Sequence, residues 1–310
     1  MTAGPEPAIS VVVPTKGRPR YLERCLAALG GAVSPAGGFE TLVVDDSGGP
    51  EVERVAAAAP DGASVRVVRP RGTGPSAARN AGAFAAAGRH IAFTDDDTEP
   101  DRGWLAGLQR ALDANPGCAA GGVTRNGARD DCAAEASQLV IAAVHAQFNR
   151  DPAAPRFFAS YNVAFPAEEF RAIGGFDERF RYAEDRELCE RWLASGHRFV
   201  HAPEALVLHM RRLTLRDFWR QHHGYGRGAR AFRDARERGP QRRADPAGIQ
   251  RALLDAVVHS DAPGGRLALA GYLALSQAAT ASGFAREALA SRLRRSRAAA
   301  EAASSRADVS

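Results

Sequence analysis

The sequence predicts an α/β chain: a mostly parallel central sheet flanked by helices, followed by a helical C-terminal extension. Three observations carry this. Short β-forming runs alternate with stretches of helical periodicity through the first hundred residues. Each run ends in a polar cluster, the position where ligands collect on open α/β sheets. From Met210 onward the composition becomes helical and rich in arginine.

Residues 9–13 (ISVVV) are apolar and β-branched and stop at Pro14, so they read as a buried strand. The loop Pro14-Thr15-Lys16-Gly17-Arg18-Pro19 follows. Over 20–29, Tyr21, Leu22, Cys25, Leu26 and Leu29 then recur at helical spacing. That order places backbone N–H groups and positive charge at the strand's C-terminal end; the plainer alternative for Thr15, Lys16 and Arg18 is a solvated turn. Residues 39–44 (FETLVV) form a second strand, ending in Asp45-Asp46-Ser47-Gly48-Gly49. A carboxylate there either accepts hydrogen bonds from a base or ribose, or Asp46 or Ser47 caps a helix over 51–59. Residues 65–68 are a third strand. RGTGPSAARNAGAFAAAG then supplies a glycine turn and an alanine-rich helix that starts at Pro75 or Ser76 and ends at Gly88. It lacks the GK[ST] of a Walker A loop, and no GxGxxG follows the first strand, which excludes the dinucleotide type. Arg79 and Asn80 lie on the first turns of this helix, facing a diphosphate if one binds there.

Residues 91–94 (IAFT) read as a buried strand, and Asp95, Asp96 and Asp97 follow at once, then Glu99 and Pro100. Buried charge is costly unless paired or bound to a cation. A divalent metal carrying phosphates answers that need, because Mg²⁺ takes one or two carboxylates and completes its shell with phosphate oxygens and water. On an irregular loop, Asp95 and Asp97 turn toward one ion while Asp96 points elsewhere. The alternative is a solvated acidic turn.

Further on, the pattern predicts helices over 104–115, 133–147 and 167–173, strands over 118–123 and 161–165, and a mobile loop over 149–155. Glu184 and Asp185 open a helix whose apolar face carries Leu188, Trp192 and Leu193. They either stabilise the helix N-terminus as anions or serve as a base within reach of a hydroxyl. Residues 197–201 and 205–209 read as two short strands, the second ending at His209, either a structural histidine or a metal ligand. Over 213–232, Phe218, Trp219, Tyr225 and Phe232 lie among many cations. This is a helical appendage with solvated arginines, or an acceptor or membrane-surface platform. Residues 237–248 read as a linker, 249–258, 265–281 and 285–303 as three helices, and the tail after Ser304 as disordered.

The bulk composition bounds the class. The 310 residues are 45% hydrophobic and 25% charged, as in soluble globular proteins, and suffice for one large domain with an appendage. The net charge is +5, and Lys16 is the sole lysine. Cys25, Cys118, Cys132 and Cys189 form no CxxC pair, which argues against a zinc knuckle or disulfide scaffold and fits a reducing compartment. MTAGPEPAIS lacks the regions of a signal peptide. The most apolar stretch, 267–284, is broken by Ser, Thr, Gln and Gly and suits a packed or interfacial helix better than a spanning one. The expected location is cytoplasmic, with a peripheral place at the inner membrane face left open.

VVVPTKGRPRYLERCL, VVDDSGG, GPSAARNAG, IAFTDDDTEP, NVAFPAEEFRAIGGFDE and EDRELCERW, in this order and spacing, together resemble the family 2 glycosyltransferases of GT-A fold. The resemblance covers residues 9–209, which sets an expected catalytic domain at 1–210 and a helical, arginine-rich region at 211–310. It implies a UDP-, GDP- or dTDP-sugar donor, a hydroxyl acceptor (glycan, lipid-linked or small molecule) and Mg²⁺ or Mn²⁺. It implies that Asp95-Asp96-Asp97 is the DxD, with Asp97 binding metal, Asp95 assisting through metal or ribose, and Asp96 on the nucleotide side. Asp45 sits where the family's first carboxylate meets the base, and Pro14, Thr15, Arg18 and Arg79 line the nucleotide. Asp185 matches the base of the ED pair. Glu184, Gly174, Gly175 and Asn162 fall on the acceptor and sugar side, although packing explains Asn162 equally well. His209 falls near a position where some GT-A enzymes place a metal-binding histidine. The QxxRW of the processive members is absent from FWRQHHGYGRG, which implies one transfer per acceptor. Two other readings stay open: a nucleotidyltransferase, which releases pyrophosphate, and an arginine-rich nucleic-acid-binding module. Against the second, aromatics do not interleave with cations as in RNA motifs, so no nucleic-acid partner is expected.

Overall fold

Eight strands form one sheet: β1 (Ile9–Thr15), β2 (Phe39–Asp45), β3 (Val65–Val68), β4 (His90–Phe93), β5 (Thr98–Pro100), β6 (Cys118–Asn126), β7 (Val163–Pro166) and β8 (Arg198–His209). The computed structural model describes residues 6–235, 246–259 and 261–307. The strand order is β3-β2-β1-β4-β7-β6-β8-β5. Pairing is parallel from β3 through β4 and between β6 and β8. It is antiparallel where β7 and β5 join, so the sheet is mixed.

Alternation along β1 decides which helices cover which face. Ile9, Val11 and Val13 point to one side, onto α1 (Pro19–Gly30), α2 (Pro50–Ala57) and α4 (Trp104–Asp113), with Leu22, Leu26, Val52, Trp104 and Leu108 buried there. Val12 points to the other, with Leu42 and Phe93, onto α3 (Pro75–Ala85), α6 (Ala167–Ala172) and α7 (Glu184–Ala194), where Phe170, Leu188 and Trp192 are buried. Sheet and helices thus make a three-layer core.

Two short strands were expected over 197–209; the structure has the single strand β8. Its pairing with β6 shifts register between Gly121 and Val123, so His201 and Leu206 face nearly adjacent partners and the intervening residues bulge. Pro203, which has no N–H to give, sits in that bulge, and the strand continues past it. The tripeptide Thr98–Pro100, read as part of an acidic loop, is strand β5 on β8.

The C-terminal helices are α8 (Leu215–Ala235), α9 (Pro246–His259) and α10 (Gly265–Ala307). α10 is one helix where two were expected; it runs through Gly283, where α8 packs closely, and continues past Ser304. Of the expected linker, 237–245 lies outside the described residues, and Pro246–Gly248 already belongs to α9. The three helices pack on one face of α5 (Cys132–Phe148): Ala133, Ala136 and Ala143 meet Leu213, Phe218, Leu253, Leu269 and Leu273. No helix among the described residues is long and apolar enough to cross a membrane.

α8 and α10 cross at glycine. A Cβ on Gly226 would lie 1.9 Å from the Thr280 carbonyl oxygen, and one on Gly283 would lie 1.9 Å from that of His223. Gly224 and Gly228 bring α8 close onto Tyr182 and Ala183, the residues that precede α7. Gly226→Ala is expected to cost about 1–3 kcal/mol by urea denaturation, as overpacking does. Gly271→Ala, on an open stretch of α10, is expected to gain roughly 0.5–1 kcal/mol from the lost chain entropy.

Candidate active site

The parallel strands end together, and the register fixes what stands at the edge. Thr15 is paired with Asp45 across β1 and β2, and the chain leaves β4 at Thr94 into the aspartate triplet. Asp45 Oδ1 accepts from the Ser47 and Gly48 backbone N–H groups and the Ser47 hydroxyl, so it closes its own turn. Neither Asp46 nor Ser47 caps α2, whose N-cap is Gly49. Asp46 instead accepts from Lys16 Nζ at 2.9 Å and from the Gly74 N–H at 3.3 Å. Asp45 Oδ2 is buried with no hydrogen-bond partner, an acceptor left open beside Thr15. Pro14 is partly exposed at this edge.

The three aspartates divide their tasks. Asp96 is fully buried and accepts from the Thr15 hydroxyl at 2.7 Å and from Arg18 through both Nε and Nη2. Burial pushes its carboxyl up to about 7 against the pull of Arg18. It faces inward, so it shapes the loop and holds Arg18. Asp97 Oδ2 accepts from Arg18 Nη1, and its Oδ1 is buried without a hydrogen bond, 3.4 Å from His209 Nε2. Burial would raise Asp97, yet His209 and then Arg18 hold it well below the usual carboxylate range. The sheet imposes the His209 contact: Thr98 on β5 pairs with His209 on β8, and the Met210 N–H donates to the Asp97 carbonyl at 2.8 Å. The Tyr161 ring stacks on His209, centroids 5.4 Å apart and 10° from parallel.

Asp95 turns away from Asp97. Its Oδ1 accepts from Arg79 Nη2 at 2.7 Å, while Arg79 Nη1 donates to Glu184 Oε1 at 3.0 Å. Arg79 is only 4% exposed, so a buried guanidinium on α3 bridges the aspartate triplet and the ED pair. Burial and then the neighbouring Asp185 charge push Glu184 up to about 7, against Arg79. Burial also raises Asp185, although its carboxylate accepts from the Arg186 N–H at 2.7 Å. Neither carboxylate caps α7, whose N-cap is Ala183. That alanine has φ 62°, a left-handed conformation that costs a non-glycine residue of order 1–3 kcal/mol. It is held there by the glycine face of α8.

Asn162 belongs to the scaffold. It is 2% exposed; its Oδ1 accepts from Trp104 Nε1 at 2.8 Å, and its Nδ2 donates to the Val123 and Ala205 carbonyls at 2.8 and 3.2 Å. Its amide is spent on joining α4, β6 and the β8 bulge, so its hydrogen bonds serve packing. Asn80, placed near a diphosphate by its helix position, binds the Phe176 backbone at both ends of its amide, 2.9 and 2.8 Å. It fixes the loop that enters α7. Gly175, at φ 66°, passes so close that a Cβ would lie 2.6 Å from Asn80 Oδ1. Gly174 also has positive φ, with open space around it.

Residues 10–164 match the model of Glycosyl transferase family 2, and residues 90–290 that of Glycosyl transferase family group 2. The chain belongs to glycosyl transferase family 2. Among curated family relatives, the Pre-mycofactocin glycosyltransferase of Mycobacterium tuberculosis is 29% identical over 226 residues, 71% of this chain and 46% of that protein. The chain therefore spans about half the length of that relative. Over 61 residues it is 38% identical to the Succinoglycan biosynthesis protein ExoA of Rhizobium meliloti, 20% of this chain and 18% of that protein. In three dimensions it is similar to the mannosyltransferase PcManGT of Pyrobaculum calidifontis, solved in complex with GDP-Man and Mn²⁺. The TM-score is 0.64 at 20% identity, over 92% of this chain and 89% of that one. The fold is GT-A, with a helical C-terminal region.

The Arg79 bridge makes a stability prediction for this family 2 chain. A carboxyl raised in the folded state keeps its proton where the unfolded chain has shed it, so stability falls as pH rises from the ordinary glutamate value through about 7. Arg79→Met leaves Asp95 and Glu184 without their shared cation. The expected loss is about 3–5 kcal/mol at pH 8. At pH 5.5 it should be clearly smaller, because Glu184 is then neutral; urea denaturation at the two pH values checks this.

Proposed function

We propose that the chain transfers a sugar from a nucleoside-diphosphate donor to an acceptor hydroxyl with inversion, one sugar per acceptor. The observation that carries this reading is the buried Arg79 bridge, which holds a nucleotide-side carboxylate and the ED pair at one centre. The open Asp45 acceptor beside Thr15 suits a base N–H. Arg18 lines the same edge as the phosphate-side cation.

Among the described residues, no three His, Cys, Asp or Glu side chains converge closely enough to enclose a metal. A cation that takes most of its shell from diphosphate and water needs only one or two protein ligands. Asp97, whose Oδ1 is buried and unsatisfied, and His209 fit that role, while Asp95 is held by Arg79. The carboxylate suits Mg²⁺ or Mn²⁺, and PcManGT was solved with Mn²⁺. When bound, the cation supplies positive charge against the departing diphosphate. Asp185 takes the acceptor proton; its raised affinity for protons improves it as a base near neutrality. The acceptor oxygen bonds to the anomeric carbon as the bond to the diphosphate breaks, and the electron pair leaves with the diphosphate. Glu184, bound to Arg79, keeps that guanidinium oriented between the two carboxylate groups. The segment after His209 lacks QxxRW, which supports single transfer.

A thermal-shift panel of UDP-, GDP- and dTDP-sugars with and without Mn²⁺ is expected to show metal-dependent stabilisation by one nucleotide class. Asp97→Ala removes that shift. Asp185→Ala retains it and lowers kcat by about 10²–10⁴, the usual worth of a positioned base. Normal turnover by Asp185→Ala would overturn the base assignment. In kcat/KM against pH, activity falls on the acid side as Asp185 gains its proton.

A further inference from the structure

A cavity of about 240 Å³ lies beside the candidate active site, outside the residues discussed as donor or metal ligands. One wall is α5. Gln138, Ala142 and His145 stand at i, i+4 and i+7, so they share a face of that helix, while Ala136 and Ala143 turn to the C-terminal helices. Phe157, Phe158 and Tyr161 form the facing wall. Asn149 holds the two walls together. Its Oδ1 accepts from the Arg156 and Phe157 N–H groups at 2.7 and 3.0 Å, and its Nδ2 donates to the Phe157 carbonyl at 2.7 Å and meets His145 Nε2 at 2.8 Å. The cavity is therefore set before any ligand arrives. The expected mobile loop over 149–155 is the segment that Asn149 ties back.

The lining defines the ligand. It contains no Lys, Arg, Asp or Glu, in a chain where a quarter of the residues are charged. Its two histidines are uncharged at neutral pH, since burial pushes His145 down to about 4 and lowers His201. Aromatic faces dominate the walls. Two buried polar atoms have no partner, Gln138 Oε1 and the Tyr161 hydroxyl, and the first can only accept. A cavity of about 150 Å³ holds benzene, so this one admits a substituted ring. Tyr161 joins the cavity to the reaction centre: it lines the former, and its ring stacks on His209, which faces Asp97.

We propose that this cavity is the acceptor subsite and that it takes an uncharged aromatic ring bearing an O–H or N–H donor, next to the hydroxyl that is glycosylated. The assignment rests on the transferase reading above; the ring's chemistry rests on the cavity alone. The acceptor's proton goes to Asp185 and its oxygen to the anomeric carbon, with the nucleoside diphosphate as leaving group.

Saturation-transfer NMR on the full chain, with 4-hydroxybenzyl alcohol as probe, tests it. Wild type is expected to bind the probe. Ala142→Trp, a change at an exposed wall position, is expected to weaken binding at least tenfold, and Gln138→Leu at least threefold. Phenyl phosphate is expected not to bind. Equal probe affinity in wild type and Ala142→Trp would overturn the proposal. So would cellobiose binding in place of the aryl alcohol, equal binding of phenyl phosphate, or loss of the donor-induced thermal shift in Ala142→Trp, which would make the cavity part of the donor site. The transferase reading fails separately, if wild type shows no donor-induced shift with Mn²⁺ while the NMR result stands.

Discussion

Arg79 is buried on α3, and its charge is shared between Asp95, 16 residues along the chain, and Glu184, 105 residues along. A guanidinium in that position requires anionic partners, and Glu184, raised by burial, requires the guanidinium in turn. The arrangement ties three elements into one unit: the helix after β3, the end of β4 and the start of α7. Asn80, one residue further on α3, makes the same connection through neutral hydrogen bonds to Phe176. The entry to α7 is thus held twice from one helix turn. Most of the site's geometry follows from these two side chains and the sheet register beneath them.

The sequence made the first half legible because its signals are local. The β-branched run at Ile9, the Pro14 stop and the periodicity of Leu22, Leu26 and Leu29 act within a few residues of one another, and β1 and α1 follow them closely. The aspartate triplet stood out for the same reason: three carboxylates after an apolar strand need positive partners, and Arg18 and Arg79 meet them. What a linear reading missed depends on long-range register. β5 is three residues long and exists only because β8 pairs with it. The continuity of β8 past Pro203 depends on the opposing bulge in β6. The packing role of Asn162 becomes decidable only when Trp104 and Ala205 arrive beside it. Arg79 was placed near phosphates by its helix position, and its bridge to Glu184 could not be read from either segment alone. The left-handed Ala183 left no trace in the sequence, since alanine carries no preference for that conformation.

The arginine-rich end was left between an appendage and a functional platform. Its packing shows what it supports. α8 lies on the turn before α7, and α5 is covered by the C-terminal helices on one face while the other lines the cavity. The arginines there are partly engaged: Arg227 pairs with Glu287 across α8 and α10, and Arg230 lies over the ring of Phe284.

The glycine face of α8 has a consequence for how such chains diverge. Because Gly224 and Gly228 are moulded to Tyr182 and to the left-handed Ala183, the helix and the turn are complementary surfaces of one interface. Exchanging the carboxy-terminal helices between homologues would therefore mismatch a seam only two residues upstream of Asp185. A viable chimera has to carry that turn and its helix as a single inherited block.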